Sequence, residues 1–379
     1  MERNKKRVLV AMSGGVDSSV AAYLLKEQGY ECVGVTMKLY GSETVNLDEG
    51  HPCCTLDDVE DAREVARRMG IPHYVFNFSG DFEEKVIRRF IDAYERGETP
   101  NPCIDCNRFL KFDRLHRRAR ELKCDYIATG HYAQILDDGA GGFRMTKAAD
   151  LSRDQSYVLY PIPREQLAHT LFPLGGLTKA EVREVAGREG FVNARKHDSQ
   201  DICFVPDGDY LSFMERHTGK TYPEGDIIDQ SGKVVGRHRG AAGLTIGQRR
   251  GVGVSSDRRI YVCDKCMADN TVTVGPEEAL YSSGCVAADW NWLVTPPEGP
   301  FEALAKTRYR QTEQPVTVIP EGDRVRLKFA RPQRAVTPGQ AAVAYDENGA
   351  VLGGGTITEA VKGLPFFFEK KKGSEKRNF

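Results

Sequence analysis

The chain has 379 residues, too many for one small core; at roughly 100–200 residues per domain, two or three domains are expected. A hydrophobic content of 40% with 28% charged residues excludes a disordered or fibrous chain, and 53 basic against 54 acidic residues exclude one that is basic throughout, though not one with local basic patches. No apolar run reaches the ~18 residues of a membrane span. The first twelve residues, charged and then strand-like, read as no export signal, so a cytoplasmic protein is expected. In that reducing setting the ten cysteines point to catalysis, redox chemistry or metal more than to structural disulfides.

Strand and helix signals alternate through the first two hundred residues. Residues 7–12 form a short apolar run that ends in Ser13-Gly14-Gly15, and 18–28 read as a helix closed by Gly29. Buried strands are predicted over 32–38, 73–78 and 126–129. Between 32–38 and 73–78, Thr55-Leu56-Asp57-Asp58 resembles a capping box opening a helix through Met69. Further helices are predicted over 82–96, 112–122 and 181–189, the last behind Thr178-Lys179-Ala180-Glu181. Strands separated by helices imply a doubly wound parallel sheet, with sites at the carboxyl ends of its strands. From Thr221 the texture changes to short alternating runs broken by Gly, Pro, Asn and Asp. That spacing predicts a small central β-rich domain and a C-terminal β-barrel. The expected boundaries are 1–207, 208–283 and 284–379, with a charged, frayed tail from Glu369.

The most informative segment runs Val8-Leu9-Val10-Ala11-Met12-Ser13-Gly14-Gly15-Val16-Asp17-Ser18-Ser19. A buried strand passes through two glycines into a helix whose first turn carries an acid and two hydroxyls. Backbone N–H groups, hydroxyls and a helix N-terminus together suit a polyphosphate. No Gly-Lys-Ser/Thr follows, so the loop is no Walker A, and G-x-G-x-x-G is absent. Ser-Gly-Gly-Val-Asp-Ser-Ser instead resembles the PP-loop of the ATP pyrophosphatases, which split ATP between the α- and β-phosphates and leave AMP on a carbonyl oxygen. The resemblance implies that Ala11, Met12, Ser13, Gly14, Gly15, Val16, Ser18 and Ser19 bind ATP, with Asp17 helping to hold Mg²⁺. It gives the activation step but not the acceptor.

Asn101-Pro102-Cys103-Ile104-Asp105-Cys106-Asn107 is a second compact signal, a Cys-x-x-Cys turn that suits a redox pair or two metal ligands. A third cysteine, Cys203, follows the polar run Asp198-Ser199-Gln200-Asp201. On composition alone a Cys in Ile-Cys-Phe is packing, and the loop polarity before it argues the other way. Cys53-Cys54 and Cys263-Asp264-Lys265-Cys266 are read as structural or locally redox rather than as a shared zinc site. Cys32, Cys124 and Cys285 are read as packing.

Together these segments resemble the tRNA-specific 2-thiouridylases, which exchange the C2 oxygen of the wobble uridine for sulfur. The likeness covers nearly the whole chain, including Thr129-Gly130-His131-Tyr132-Ala133, Arg153-Asp154-Gln155-Ser156-Tyr157, Arg308-Tyr309-Arg310 and Pro338-Gly339-Gln340. It implies Cys106 as nucleophile and Cys203 as persulfide carrier, with a Cys106–Cys203 disulfide to be reduced after each turnover. Cys103 opens a second route, because three thiolates from Cys103, Cys106 and Cys203 would suit an iron–sulfur cluster holding a sulfide. Met37 and Gly130 are implied to flank adenosine. Asn101, Pro102, Cys103, His131, Arg153, Asp154, Gln155, Arg308, Tyr309 and Gln340 are implied to meet the tRNA.

Three basic clusters are read as a phosphate track: Arg108–Arg120, Arg249–Arg259, and Arg324–Arg334. The family's partners would be tRNAs for Lys, Glu and Gln and a cysteine desulfurase or sulfur-relay protein, and a monomer is expected. The runner-up is an amide-forming synthetase of the same ATP pyrophosphatase group, which needs no thiols. A non-catalytic RNA-binding module is argued against by the intact loop.

Overall fold

The computed structural model describes residues 5–40, 56–196 and 202–362. The predicted cap Thr55, the pair Cys53-Cys54, the polar run 198–201 and the tail from Glu369 lie outside the described residues.

Strands β1 (Arg7–Ala11), β2 (Glu31–Lys38), β3 (His73–Asn77) and β4 (Tyr126–Ala128) appear where the apolar runs predict them. After β4 a hairpin of β5 (Gln134–Asp137) and β6 (Phe143–Thr146) leaves the sheet, and the chain returns as β7 (Thr170–Leu171). The sheet is parallel throughout in the order β3-β2-β1-β4-β7. Its order reverses beside β1, so the crevice beyond β1 and β4 is the expected ligand position.

β1 shows why this sheet reads as near-continuous apolar sequence. Val8 and Val10 face a core built with α1 (Val16–Glu27), α2 (Leu56–Met69) and the helix Lys179–Arg188. Leu9 and Ala11 face the other way, onto Phe82, Phe90, Leu110 and Phe112. Both faces are covered, so both alternating sets must be apolar. The capping box before Lys179–Arg188 forms as predicted, with the Thr178 side chain accepting from the Glu181 N–H.

Two predicted helices differ from expectation. The 82–96 helix contains a π-helical stretch, Glu83–Ile87, between Ser79–Phe82 and Arg88–Glu95. The 112–122 helix starts earlier, as a short turn Pro102–Asp105 running into a nine-residue π-helix, Cys106–Arg114, and then Leu115–Glu121. An apolar pattern judged on a 3.6-residue period does not register an i→i+5 stretch, and such stretches favour functional sites. The helix Tyr210–Thr218, capped by Asp209 and ended by the left-handed Gly219, has no counterpart among the predicted elements.

The rest is β structure. β8 (Gly225–Ile228), β9 (Val234–His238), β10 (Tyr261–Cys266) and β11 (Thr271–Gly275) make a sheet ordered β10-β11-β8-β9. β12 (Tyr281–Trp292), β13 (Phe301–Lys306), β14 (Gln314–Glu321), β15 (Arg324–Arg334), β16 (Ala341–Tyr345) and β17 (Val351–Val361) close an antiparallel barrel, β12-β15-β14-β13-β16-β17.

The barrel is docked on the sheet domain by apolar and polar contacts. Ala341, Val343, Tyr345 and Val351 join the same core as Phe90 and Phe112. The Tyr157 hydroxyl donates to Ala341 O at 2.9 Å, and Asn291 Nδ2 to the Tyr160 and Ile162 carbonyls. Thr99 N donates to Pro338 O, while Gln340 Nε2 donates back to Thr99 O. Gly339 between them has φ +89°, and a Cβ there would lie 2.8 Å from Thr99 N, so only glycine allows this approach. A barrel loop thereby fixes the chain two residues before Asn101.

Candidate active site

A cavity of about 1480 Å³ opens where β1 and β4 end, and its wall reaches across to the barrel. Ala11, Met12, Ser13, Gly15, Val16, Asp17 and Ser18 line it at one end, together with Met37 and Gly130. The loop folds on itself: Ser13 N donates to Ser18 Oγ at 3.1 Å, and Ser18 Oγ donates to Gly15 O at 3.0 Å. Gly14 has φ +76°, and a Cβ there would sit 2.3 Å from Asp58 O. Gly130 is required too, because its Cβ would meet the Asp17 carbonyl carbon and Ser18 N at 2.8 Å. Gly14 and Ser19 are not in the cavity wall; Ser19 Oγ faces inward, donating to Gly15 O and accepting from Asn193 Nδ2.

The Asp17 carboxylate accepts from Lys179 Nζ at 2.7 and 2.8 Å and from the Tyr132 hydroxyl at 2.9 Å. Lys179 stands at the start of its helix, 162 residues along the chain, and sequence reasoning missed it. Asn193, which donates to Gly14 O and Ser19 Oγ, and Lys196, which pairs with Asp58 and Asp61, were missed as well. Thr178, as a helix start, was the signal closest to Lys179; nothing local marked the other two.

Cys103, Cys106 and Cys203 all border the same cavity as the loop. Asn101 positions the first two, since its Oδ1 accepts from Cys103 N at 3.2 Å and Pro102 sits at the first helical position. Cys103 is exposed, Cys106 and Cys203 are half-buried, and the latter two pack against the main core. The Tyr40 hydroxyl donates to Cys203 O at 3.4 Å. Among the described residues no three Cys, His, Asp or Glu form a group that could hold a metal ion.

Among the other described cysteines, Cys32, Cys263 and Cys285 are buried. Burial pushes the Cys32 thiol up to about 11 and the Cys285 thiol up to about 12, so both stay protonated. Cys263 is buried and Cys266 is exposed, with Cys266 Sγ against Asp269 Oδ2 at 3.3 Å.

The residues implied to meet tRNA fall into two groups. Pro102, Cys103, His131, Arg153, Asp154, Gln155 and Tyr309 line the cavity. Asn101, Arg308 and Gln340 lie outside its wall and work as ties: Asn101 caps the Cys103 turn, and Arg308 donates to Ala335 O, Ile246 O and Thr337 Oγ1, joining the central sheet domain to the barrel. Asp154 is buried, with its carboxylate accepting from Ala148 N, Ser156 N and Ser156 Oγ. Gln155 Oε1 accepts from Tyr132 N. Of the basic clusters, the first is largely neutralised in place: Arg108 pairs with Asp289, Arg114 with Asp81, Arg117 with Asp113 and Arg118 with Glu121. Arg249, Arg250, Arg258 and Arg259 are all exposed.

Three stretches of the chain match known families. Residues 6–207 match a family described as the tRNA methyl transferase HUP domain, 211–276 a tRNA methyl transferase PRC-barrel domain, and 282–357 an aminomethyltransferase β-barrel domain. The chain is 50% identical over 363 residues to the tRNA-specific 2-thiouridylase MnmA of Symbiobacterium thermophilum, covering 94% of this chain and 93% of that one. It is 48% identical over 361 residues to the same-named protein of Geotalea uraniireducens, covering 94% and 96%. The protein of that name from Clostridioides difficile is 45% identical over 359 residues, covering 94% and 99%. With a phosphate loop and paired thiols on one cavity and relatives matched end to end, this chain belongs to the tRNA-specific 2-thiouridylase family.

Proposed function

We propose that the chain activates the C2 oxygen of a tRNA wobble uridine with ATP and then replaces it with sulfur carried on Cys203. The observation that supports this most is that Cys106 and Cys203 open on the cavity whose other end is the Ser13–Ser18 loop. An amide-forming synthetase would leave these two thiols without a task.

A uracil C2 carbonyl is a poor electrophile. Attack of its oxygen on the α-phosphate breaks the bond to the β-phosphate, and pyrophosphate leaves into the loop's N–H groups and the helix N-terminus. Carbon 2 now carries AMP, a good leaving group. The terminal sulfur of a Cys203 persulfide attacks it, and AMP departs with the electron pair of the C2–O bond. The Cys106 thiolate then attacks Cys203 Sγ, leaving the outer sulfur on carbon 2 and forming a Cys106–Cys203 disulfide. A dithiol reductant restores both thiols.

Mg²⁺ fits this site as a partner of the phosphates: Asp17 faces the cavity and supplies one hard oxygen ligand, which suits an ion that takes most of its ligands from phosphate and water. Bound there, it would neutralise the leaving pyrophosphate. Asp17, which accepts from Lys179, would then serve both cations. Among the described residues Cys103, Cys106 and Cys203 form no group that could hold a single metal ion, and no step is assigned to an iron–sulfur cluster. A sulfur-delivering protein, a cysteine desulfurase or a relay, supplies the persulfide in this reading, and the exposed Arg249–Arg259 cluster is the strongest candidate for the tRNA backbone.

The test is reconstitution with ATP, Mg²⁺, unmodified tRNA for Lys, Glu or Gln, and a persulfide donor, followed by nucleoside mass spectrometry. Appearance of 2-thiouridine with equal AMP is expected. Equal AMP with an amide product, or no change in the RNA, would end the reading. Iron and sulfide assays on anaerobically purified protein decide the cluster question.

A further inference from the structure

Among the described residues four lysines line the cavity, and three are ion-paired: Lys147 and Lys306 with Glu313, and Lys196 with Asp58 and Asp61. Lys111 has no carboxylate partner among the described residues. Its one hydrogen-bond partner among the described residues is His131 Nε2, at 3.4 Å. The opposite ring nitrogen of His131 meets Thr129 Oγ1 at 2.7 Å, which fixes the ring. Burial holds His131 far below the usual imidazole range, so the ring is neutral and accepts from the ammonium.

Two further features locate this cation. Lys111 follows Cys106 by five residues within the π-helix Cys106–Arg114, where i and i+5 lie one turn apart, and both open on the cavity. His131, which holds its head, follows Gly130, whose backbone is packed against Asp17 and Ser18. Lys111 therefore stands at the junction of the phosphate end and the thiol end. In the thiolation reading, on which this inference rests, the α-phosphate must occupy that junction: its bond to pyrophosphate ends at the loop, and its bond to the uracil oxygen must lie within reach of sulfur.

We propose that Lys111 is a catalytic residue that holds the α-phosphate through both displacements. Charge on the α-phosphate oxygens rises as the uracil oxygen adds and pyrophosphate leaves, and rises again as AMP departs with the C2–O electron pair. A compact ammonium with no competing carboxylate is suited to both moments.

The experiment uses the full chain with Lys111→Met and Lys111→Arg. Pyrophosphate release is measured with ATP, Mg²⁺ and unmodified tRNA but no sulfur donor; 2-thiouridine is measured with the donor added. Lys111→Met is expected to slow the single-turnover rate of tRNA-dependent pyrophosphate release at saturating ATP and tRNA by about 10²-fold, with partial recovery in Lys111→Arg. Release at the wild-type rate with loss only of 2-thiouridine would assign Lys111 to the thiols and overturn the proposal. Loss of neither would reduce it to a support for His131. If Lys111→Met fails to melt cooperatively, Lys111→Gln and the Arg variant decide on the same readout. A wild-type chain that releases no pyrophosphate with tRNA would instead break the thiolation reading itself.

Discussion

At the phosphate end of the cavity one contiguous stretch, Met12 to Ser18, supplies loop, hydroxyls and helix start; at the sulfur end Cys106 and Cys203 arrive from distant segments. The phosphate end is held tightly. Ser13, Ser18, Asp17 and Gly14 are tied to one another, to Lys179 and Tyr132, and to Asn193. The sulfur end is a short capped turn and a π-helix on one side and a segment following undescribed residues on the other. A polyphosphate is the same in every turnover, so its cradle can be preorganised. A sulfur that is loaded, handed over and replaced needs thiols that other molecules can reach.

The largest effects should separate the two ends. Cys203→Ser is expected to lower 2-thiouridine formation by at least about 10³-fold while tRNA-dependent pyrophosphate release persists. Asp17→Asn should cut pyrophosphate release itself by about 10²-fold or more. If both variants lost both readouts equally, the division between the ends would be wrong.

Next comes rigidity. Gly14→Ala places a Cβ against Asp58 O at a φ of +76° and should cost about 3 kcal/mol, read from urea unfolding. Arg308→Lys loses a fork that spans Ile246 O, Ala335 O and Thr337 Oγ1, and a cost of about 2 kcal/mol is expected without any tRNA present. An unchanged melt would return Arg308 to a purely tRNA-facing role.

The smallest effect is a pH slope. Burial lowers the His116 pKa from 6.5 to about 4. The unfolded chain takes up that proton near 6.5 and the folded chain only near 4, so stability falls as pH drops through this window. The slope is at most about 1.4 kcal/mol per unit, and His131 acts in the same direction. His116→Gln should flatten it in urea midpoints measured between pH 7 and 5.

Much of the site was legible because its signals are local. Val8-Leu9-Val10 followed by Ser13-Gly14-Gly15 predicts a buried strand, a tight turn and a helix from neighbouring residues alone. The Cys-x-x-Cys turn is equally local, as Asn101 caps it and Pro102 starts it. The Arg108–Arg120 run, in contrast, reads as a phosphate track in one dimension, yet Asp289 and Asp81 from other elements neutralise two of its members. Asp154 lies within a motif associated with tRNA but turns inward onto Ser156 and Ala148.

The amino-acid sequence by itself determined the parallel sheet domain, the glycine turn from strand into helix and the β-rich remainder, because strand burial, glycine turns and caps are set by residues a few positions apart. Tertiary structure alone decided that Lys179 answers Asp17, that a barrel loop fixes the chain before Asn101, and that Lys111 leaves the basic surface run for the cavity. Ion pairing and helix pitch depend on what the folded chain brings alongside, and no spacing along the sequence encodes that.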